Sequence, residues 1–387
     1  MIDRLLKDKL TTLVLRSPAV VLVGARGTGK TSLAMEVSEI FESIYIDLRN
    51  RQDARRFKDL DIFHAEHKEK LIIVDHIERV PGVIPHIKKL IDKENRNGQF
   101  LFISSSSRKQ LSALEEELKN DVTHLELSGI HSIEYLSEYG EGLNVLWERG
   151  CFPESLFASS NRYSASWRND YIETYLERHI PLMNKRMNTE SLGHFWTMLA
   201  HDQGTPFNAS AYARSLDVTN VTVSRYLDLL SALMLVRKLE PWVRKKGKRI
   251  IKAPKAYIRD TGLTHSLLNI NDYNELLGHP VRGGSWEGFV IEQILSIVNN
   301  DVKAHYYRTS GGAEIDLILD FPNKDRWAIE IRKNSNATPS KGFHICSEDI
   351  EATHKFMIYD SDEEKNLDYN TVAVPLYEMV LRLSEHI

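Results

Sequence analysis

Cysteine is scarce: Cys151 and Cys346 are the two thiols in 387 residues, and they stand in unrelated surroundings. That excludes a disulfide framework and a cysteine-built zinc site, and it fits a reducing, cytoplasmic setting. Long hydrophobic runs are missing too. The longest apolar stretches, such as residues 19–23 and 71–74, have the length of strands, whereas a helical bilayer crossing needs about 20 residues. The opening Met1-Ile2-Asp3-Arg4 mixes charge into its apolar positions and has no signal-type run. No membrane partner is expected. Internal repeats and low-complexity linkers are also lacking. What remains, 42% hydrophobic and 27% charged residues, is ordinary globular protein with length for several cores.

Charge is uneven. The net charge is −4, yet residues 237–255 hold nine basic side chains against Glu240, a local +8 that leaves −12 for the rest. A mildly acidic chain thus carries one basic strip.

The first third alternates two patterns. Ala19-Val20-Val21-Leu22-Val23 is a continuous apolar run of the kind buried parallel strands carry. A glycine-rich turn follows, then helical spacing over residues 30–41. Further strands are predicted at 43–48, 70–75 and 99–104, with helix between, as at 84–95. This alternation predicts an α/β fold with a doubly wound parallel sheet. From about Ile130 helical patterns take over to about residue 200. After residue 255 the pattern is mixed, with helix at 286–298 and strands at 305–308, 314–320 and 327–332.

The turn after the first strand, Gly24-Ala25-Arg26-Gly27-Thr28-Gly29-Lys30-Thr31, fits G-x-x-x-x-G-K-[ST]. Glycines let successive backbone N–H groups face phosphate oxygens, the lysine reaches the β- and γ-phosphates, and the threonine hydroxyl ligates Mg²⁺. With Ser32, these residues open a helix whose N-terminus favours anions. ATP with Mg²⁺ is the expected ligand. Asp75, ending the third strand, is the expected second Mg²⁺ residue. His76 stands where hydrolytic proteins of this class carry a glutamate; histidine can accept a proton but differs in charge and reach. Ser104-Ser105-Ser106-Ser107 ends the fourth strand, where a hydroxyl such as that of Ser105 senses the γ-phosphate or caps the next helix. His76 and Ser105 are the candidate catalytic residues.

With the phosphate loop, three segments make the chain resemble a bacterial and archaeal family of AAA-type P-loop ATPases with a C-terminal region of uncharacterised function. These are residues 71–81 (Leu-Ile-Ile-Val-Asp-His-Ile-Glu-Arg-Val-Pro), 167–180 and 257–263. The resemblance implies an ATPase domain over 1–130, a helical lid or linker over 131–200, a winged-helix-like module over 201–256 and a restriction-endonuclease-like domain over 257–387, with assembly into a homo-oligomer. Departures matter: the family's Asp-Glu is Asp75-His76 here, and its Gly-Arg before the last strand of the ATPase domain is Asn120-Asp121. Both point to a slow or inactive hydrolase.

Residues 209–216, a turn at Asp217-Val218 and a helix capped by Thr219 read as helix-turn-helix. Val223, Leu227, Leu230 and Met234 form its buried stripe, and Asn220, Thr222 and Arg225 lie off it. Lys245, Lys246, Lys248 and Arg249 read as a hairpin tip able to meet phosphates. Duplex DNA and a protein partner both stay open as ligands. In the tail, Glu287, Asp316 and Glu330 match a nuclease-like metal set, with Arg332 where such enzymes hold a lysine; arginine keeps its proton and cannot act as a base. The leading expectation is an ATP-dependent switch. The alternatives are an ATP-gated, metal-dependent nuclease and a nucleotide-stabilised scaffold.

Overall fold

The structure, a computed structural model, describes residues 2–94, 96–105, 116–118, 121–140, 142–243, 249–299 and 301–386. It forms two compact units, residues 1–130 with 230–235, and residues 131–229 with 236–387.

The first unit is built on β1 (Ala19–Val23), β2 (Ser43–Asp47), β3 (Leu71–Asp75), β4 (Phe100–Ser104) and β5 (Val122–Glu126). All pair in parallel, in the order β2-β3-β4-β1-β5. The three central strands are buried at every position, which is why their sequences are continuous apolar runs rather than alternations. Helix α1 (Leu6–Arg16) and helix α2 (Lys30–Ser38) pack Leu10, Val14, Leu33 and Val37 into the same core as Val20, Leu22 and Ile73. Helix α3 is Ile84–Glu94. The order places β1 between β4 and β5, so the loop leaving β1 lies at the carboxyl edge of the sheet, where open α/β sheets bind ligands.

The second unit begins with short helices. Within it, α4 (Ala209–Ser215) leads through Asp217, in the left-handed region at φ 52°, to the start of α5 (Asn220–Ala232). Thr219 Oγ1 accepts from the Thr222 N–H at 3.2 Å, the cap the sequence indicates. The helix stops earlier than the apolar stripe implies, because Met234 turns left-handed at φ 60° ahead of β6 (Val236–Leu239). That strand pairs antiparallel with β7 (Lys255–Ile258).

Helix α6 (Arg282–Leu295) then leads into a six-stranded mixed sheet. It comprises β8 (Lys303–Arg308), β9 (Glu314–Asp320), β10 (Arg326–Ile331), β11 (His354–Tyr359), β12 (Lys365–Leu367) and β13 (Thr371–Pro375). Its order is β12-β13-β11-β10-β9-β8, with β10, β11 and β13 parallel and the remaining pairings antiparallel. Helix α6 starts four residues before the expected Trp286. Gly283 and Gly284 mask this start in sequence, but Gly284 is needed there: a Cβ on it would lie 2.4 Å from Gln203 O. No helix among the described residues is long and apolar enough to cross a membrane.

Candidate functional site

The loop from residue 24 to 31 is shaped by two glycines in particular. A Cβ on Gly24 would lie 2.3 Å from Leu127 O, and Gly29 sits at φ 90° just before the first turn of α2. Side chains are excluded at the first for lack of space and at the second by backbone strain. Arg4 fastens the loop, its guanidinium donating to Thr28 O at 2.8 Å and to Ser128 O and Gly129 O at 2.9 and 3.0 Å. Thr28 Oγ1 donates to Ala25 O at 3.0 Å. Arg26, Thr31 and Ser32 are exposed, and Ala25 is buried.

Lys30 is buried, with Nζ donating to Gly24 O and Ala25 O at 2.9 and 2.7 Å. Burial lowers it from 10.5 to about 8, against the pull of Asp75 and Glu78. Its folded value lies below its unfolded one, so between about pH 8 and 10.5 the unfolded chain binds more protons and stability rises with pH across that window. Phosphates favour the charged ammonium, so ATP binding should take up protons at and above about pH 8, and affinity should fall as pH rises through that value. Calorimetric titration near pH 8.5, in buffers of different ionisation enthalpy, checks this; a binding enthalpy independent of buffer would contradict it.

Thr31 Oγ1 donates to Asp75 Oδ2 at 2.9 Å, and Tyr45 OH donates to the same oxygen at 2.9 Å. Burial, then Asp75, pushes the Tyr45 hydroxyl up, so it stays a donor. Two oxygen donors, a hydroxyl and a carboxylate, therefore converge at the opening of α2, a donor set that suits Mg²⁺. Thr31 and Asp75 would hold that ion, which would supply positive charge against the developing charge of the phosphates. Tyr45, absent from the sequence reading, is found only through the register that sets β2 beside β3.

His76 sits at φ 63°, with Nε2 3.6 Å from Asp75 Oδ1 and Nδ1 3.2 Å from Glu78 Oε1. Ser105 follows β4 in a bend, half-buried. Its neighbour Ser104 makes the contact in this region, to Glu78. Ser106, Ser107 and Asn120 lie outside the described residues. Asp121 pairs with Lys88 at 3.2 Å.

The AAA domain model matches residues 16–136, and two domains of unknown function, DUF8612 and DUF4143, match residues 140–274 and 282–379. Uncharacterized protein Rv2008c of Mycobacterium tuberculosis is 36% identical over 360 residues, 93% of this chain and 80% of the relative, and Mb2031c of Mycobacterium bovis matches to the same extent. The chain belongs to this AAA-type P-loop family. Its AAA domain is an ATP-binding P-loop domain with the parallel sheet of that class. Among solved structures, the Walker-type ATPase PABY2304 of Pyrococcus abyssi is similar at TM-score 0.45 and 12% identity, covering 69% of this chain and 96% of that one. The RuvB Holliday junction branch migration motor of Thermotoga maritima is similar at TM-score 0.29 and 15% identity, covering 61% and 90%.

The carboxylates of the second unit are arranged differently from the expected metal set. Glu287 and Asp316 line one cleft of about 620 Å³, which Glu330 does not line. Among the described residues no group of three His, Cys, Asp or Glu is placed to hold a metal. The physical reason is a buried cation: Lys255, 1% exposed, puts Nζ 2.8 Å from Glu287 Oε1 and 2.6 Å from Glu314 Oε1. Burial alone would lower this lysine, but Glu287 and the neighbouring acids outweigh that and hold it charged. Glu287 also accepts from Tyr257 OH at 2.5 Å. Asp316 accepts from the Ile331 N–H at 2.8 Å and lies 3.7 Å from Arg332, while burial and then Glu287 raise its carboxyl to about 7. Glu330 is held by Arg332 and by the Ser340 N–H at 3.0 Å. Lys333 points elsewhere, to Asp360 at 2.5 Å and over the Trp286 ring at 4.4 Å.

The basic strip is therefore not one surface. Lys255 is internal, Arg237 pairs with Glu292, and Lys238 pairs with Asp228 at 2.8 Å. Arg249 is exposed, and Lys245, Lys246 and Lys248 lie outside the described residues. On α5, Asn220 and Arg225 are exposed and Thr222 is half-buried.

Proposed function

We propose that this chain is a nucleotide-dependent switch that holds ATP with Mg²⁺ and turns it over slowly, its nucleotide state altering how the C-terminal domains engage a partner. The observation that carries the reading is the convergence of Lys30, Thr31 and Asp75 at the mouth of the loop, with the Asp75–Thr31 pair at 2.9 Å. A nucleotide titration and a phosphate-release measurement on one sample test it, with Lys30→Ala as background. Submillimolar ATP binding with turnover below about 1 s⁻¹, the lower end of ordinary enzyme rates, is expected. Absence of binding sinks the reading, and motor-like turnover replaces the switch with an active ATPase.

A second reading, contact with duplex DNA, draws on α4 and α5: the turn at Asp217 and the cap at Thr219 leave Asn220 and Arg225 exposed on one helix. Arg225→Ala should weaken duplex binding and reduce the salt slope by about one phosphate contact. An unchanged slope in a gel-shift series over salt would count against it. The Lys255 ammonium among Glu287, Glu314 and Asp316 weighs against the metal-dependent nuclease.

A further inference from the structure

The glutamate missing after Asp75 has a counterpart two residues later. His76 takes the left-handed conformation at φ 63°, and Ile77–Arg79 closes into a single 3-10 turn. That backbone region disfavours most L-residues, histidine less than many. Its effect here is to fold Glu78 back toward the strand ends. Glu78 Oε2 accepts from Ser104 Oγ at 2.9 Å, and Oε1 lies 3.2 Å from His76 Nδ1. Ser104 is wholly buried at the end of β4, and its register partner on β1 is Val23, the residue before Gly24. Adjacent strands lie about 4.8 Å apart, so the hydroxyl that grips Glu78 is one strand from the phosphate loop. Glu78 keeps 28% of its side chain exposed, so solvent reaches it. A carboxylate offers about four acceptor sites; the contacts from Ser104, His76 and the Glu78 backbone N–H occupy three, which leaves one for a water.

We propose that Glu78 supplies the carboxylate that orients and deprotonates the attacking water, and that Ser104 and His76 are positioning residues that hold it there. This rests on the ATP reading above. In the step, the water oxygen bonds to the γ-phosphorus while one water proton passes to a Glu78 carboxylate oxygen. The bond from that phosphorus to the β,γ-bridging oxygen breaks, its electron pair leaving with ADP, and the proton held by Glu78 returns to solvent. The balance is ATP and water in, ADP, inorganic phosphate and a proton out.

The test measures ATP affinity, the ATP-induced rise in melting temperature with and without EDTA, and steady-state phosphate release, for wild type, Glu78→Gln, His76→Gly and Ser104→Ala. Glycine suits φ 63°, so His76→Gly removes the imidazole without backbone strain. Glu78→Gln should keep ATP affinity within about threefold and lose about 100-fold or more of kcat, the range general-base catalysis supplies. His76→Gly and Ser104→Ala should each lower kcat by about 10-fold with affinity retained, and their losses should not add in the double variant, as befits residues acting through one carboxylate. Wild-type protein that binds no ATP overturns the ATP reading and this inference with it. If wild type binds ATP, this inference alone is overturned by any of three results: Glu78→Gln at wild-type turnover, His76→Gly abolishing turnover where Glu78→Gln does not, or wild-type phosphate release no higher than that of Lys30→Ala.

Discussion

Lys30→Ala should lower ATP affinity by about 100-fold or more, the loss of one or two charge-assisted hydrogen bonds to phosphate. The ammonium is buried among loop carbonyls, so in the absence of nucleotide it carries a desolvation cost that its contacts to Gly24 O and Ala25 O only partly offset. Alanine removes that buried charge and favours the first turn of α2, and Thr28 still donates to Ala25 O. The variant should therefore melt within a few degrees of wild type without ATP but gain none of its ATP-induced stabilisation. Paired melting curves separate the two effects. An affinity within about threefold of wild type would mean that the ammonium does not reach the phosphates, and that backbone amides alone carry the binding.

Lys255→Met should cost more stability than any other single change considered for the second unit. The lysine is 1% exposed and faces Glu287 at 2.8 Å and Glu314 at 2.6 Å, with Asp316 in the same cleft. Methionine fills similar volume, so the loss is chiefly that of the counter-ion. Breaking a buried pair from one side costs about 3–5 kcal/mol, or on the order of 10 °C in melting temperature for a domain of this size. The penalty should shrink at acid pH. Burial and Glu287 already raise the Asp316 carboxyl, and Lys255 opposes that rise; in the variant Asp316 therefore climbs further above its unfolded value, becomes neutral in the folded state first, and the difference from wild type closes as pH falls. Calorimetry at neutral pH and near pH 5 checks both parts. A shift of less than about 2 °C at neutral pH would show that water already reaches these acids.

Sequence alone located some of this and hid the rest for identifiable reasons. The central strands are readable because burial on both faces writes them as unbroken apolar runs. β5 is not, since only Leu125 among its five residues is fully buried and Val-Thr-His-Leu-Glu reads as mixed surface. The phosphate loop is readable because its chemistry depends on neighbours in the chain. Glu78 is not, because it reaches Ser104 only through the left-handed turn at His76 and the pairing of β3 with β4. Lys255 reads as part of the basic strip from its neighbours in sequence, whereas its location is fixed by acids 32 and 59 residues further along. Local composition records charge, but it does not record which side of the sheet the charge will face.

Arg4 gives the amino-terminal segment an unexpected reach. Its one guanidinium ties residue 4 to the carbonyl of Thr28 inside the phosphate loop and to Ser128 and Gly129 beyond β5. A cleavage site, affinity handle or trimming that disturbs the residues ahead of α1 therefore touches the geometry of the nucleotide site itself.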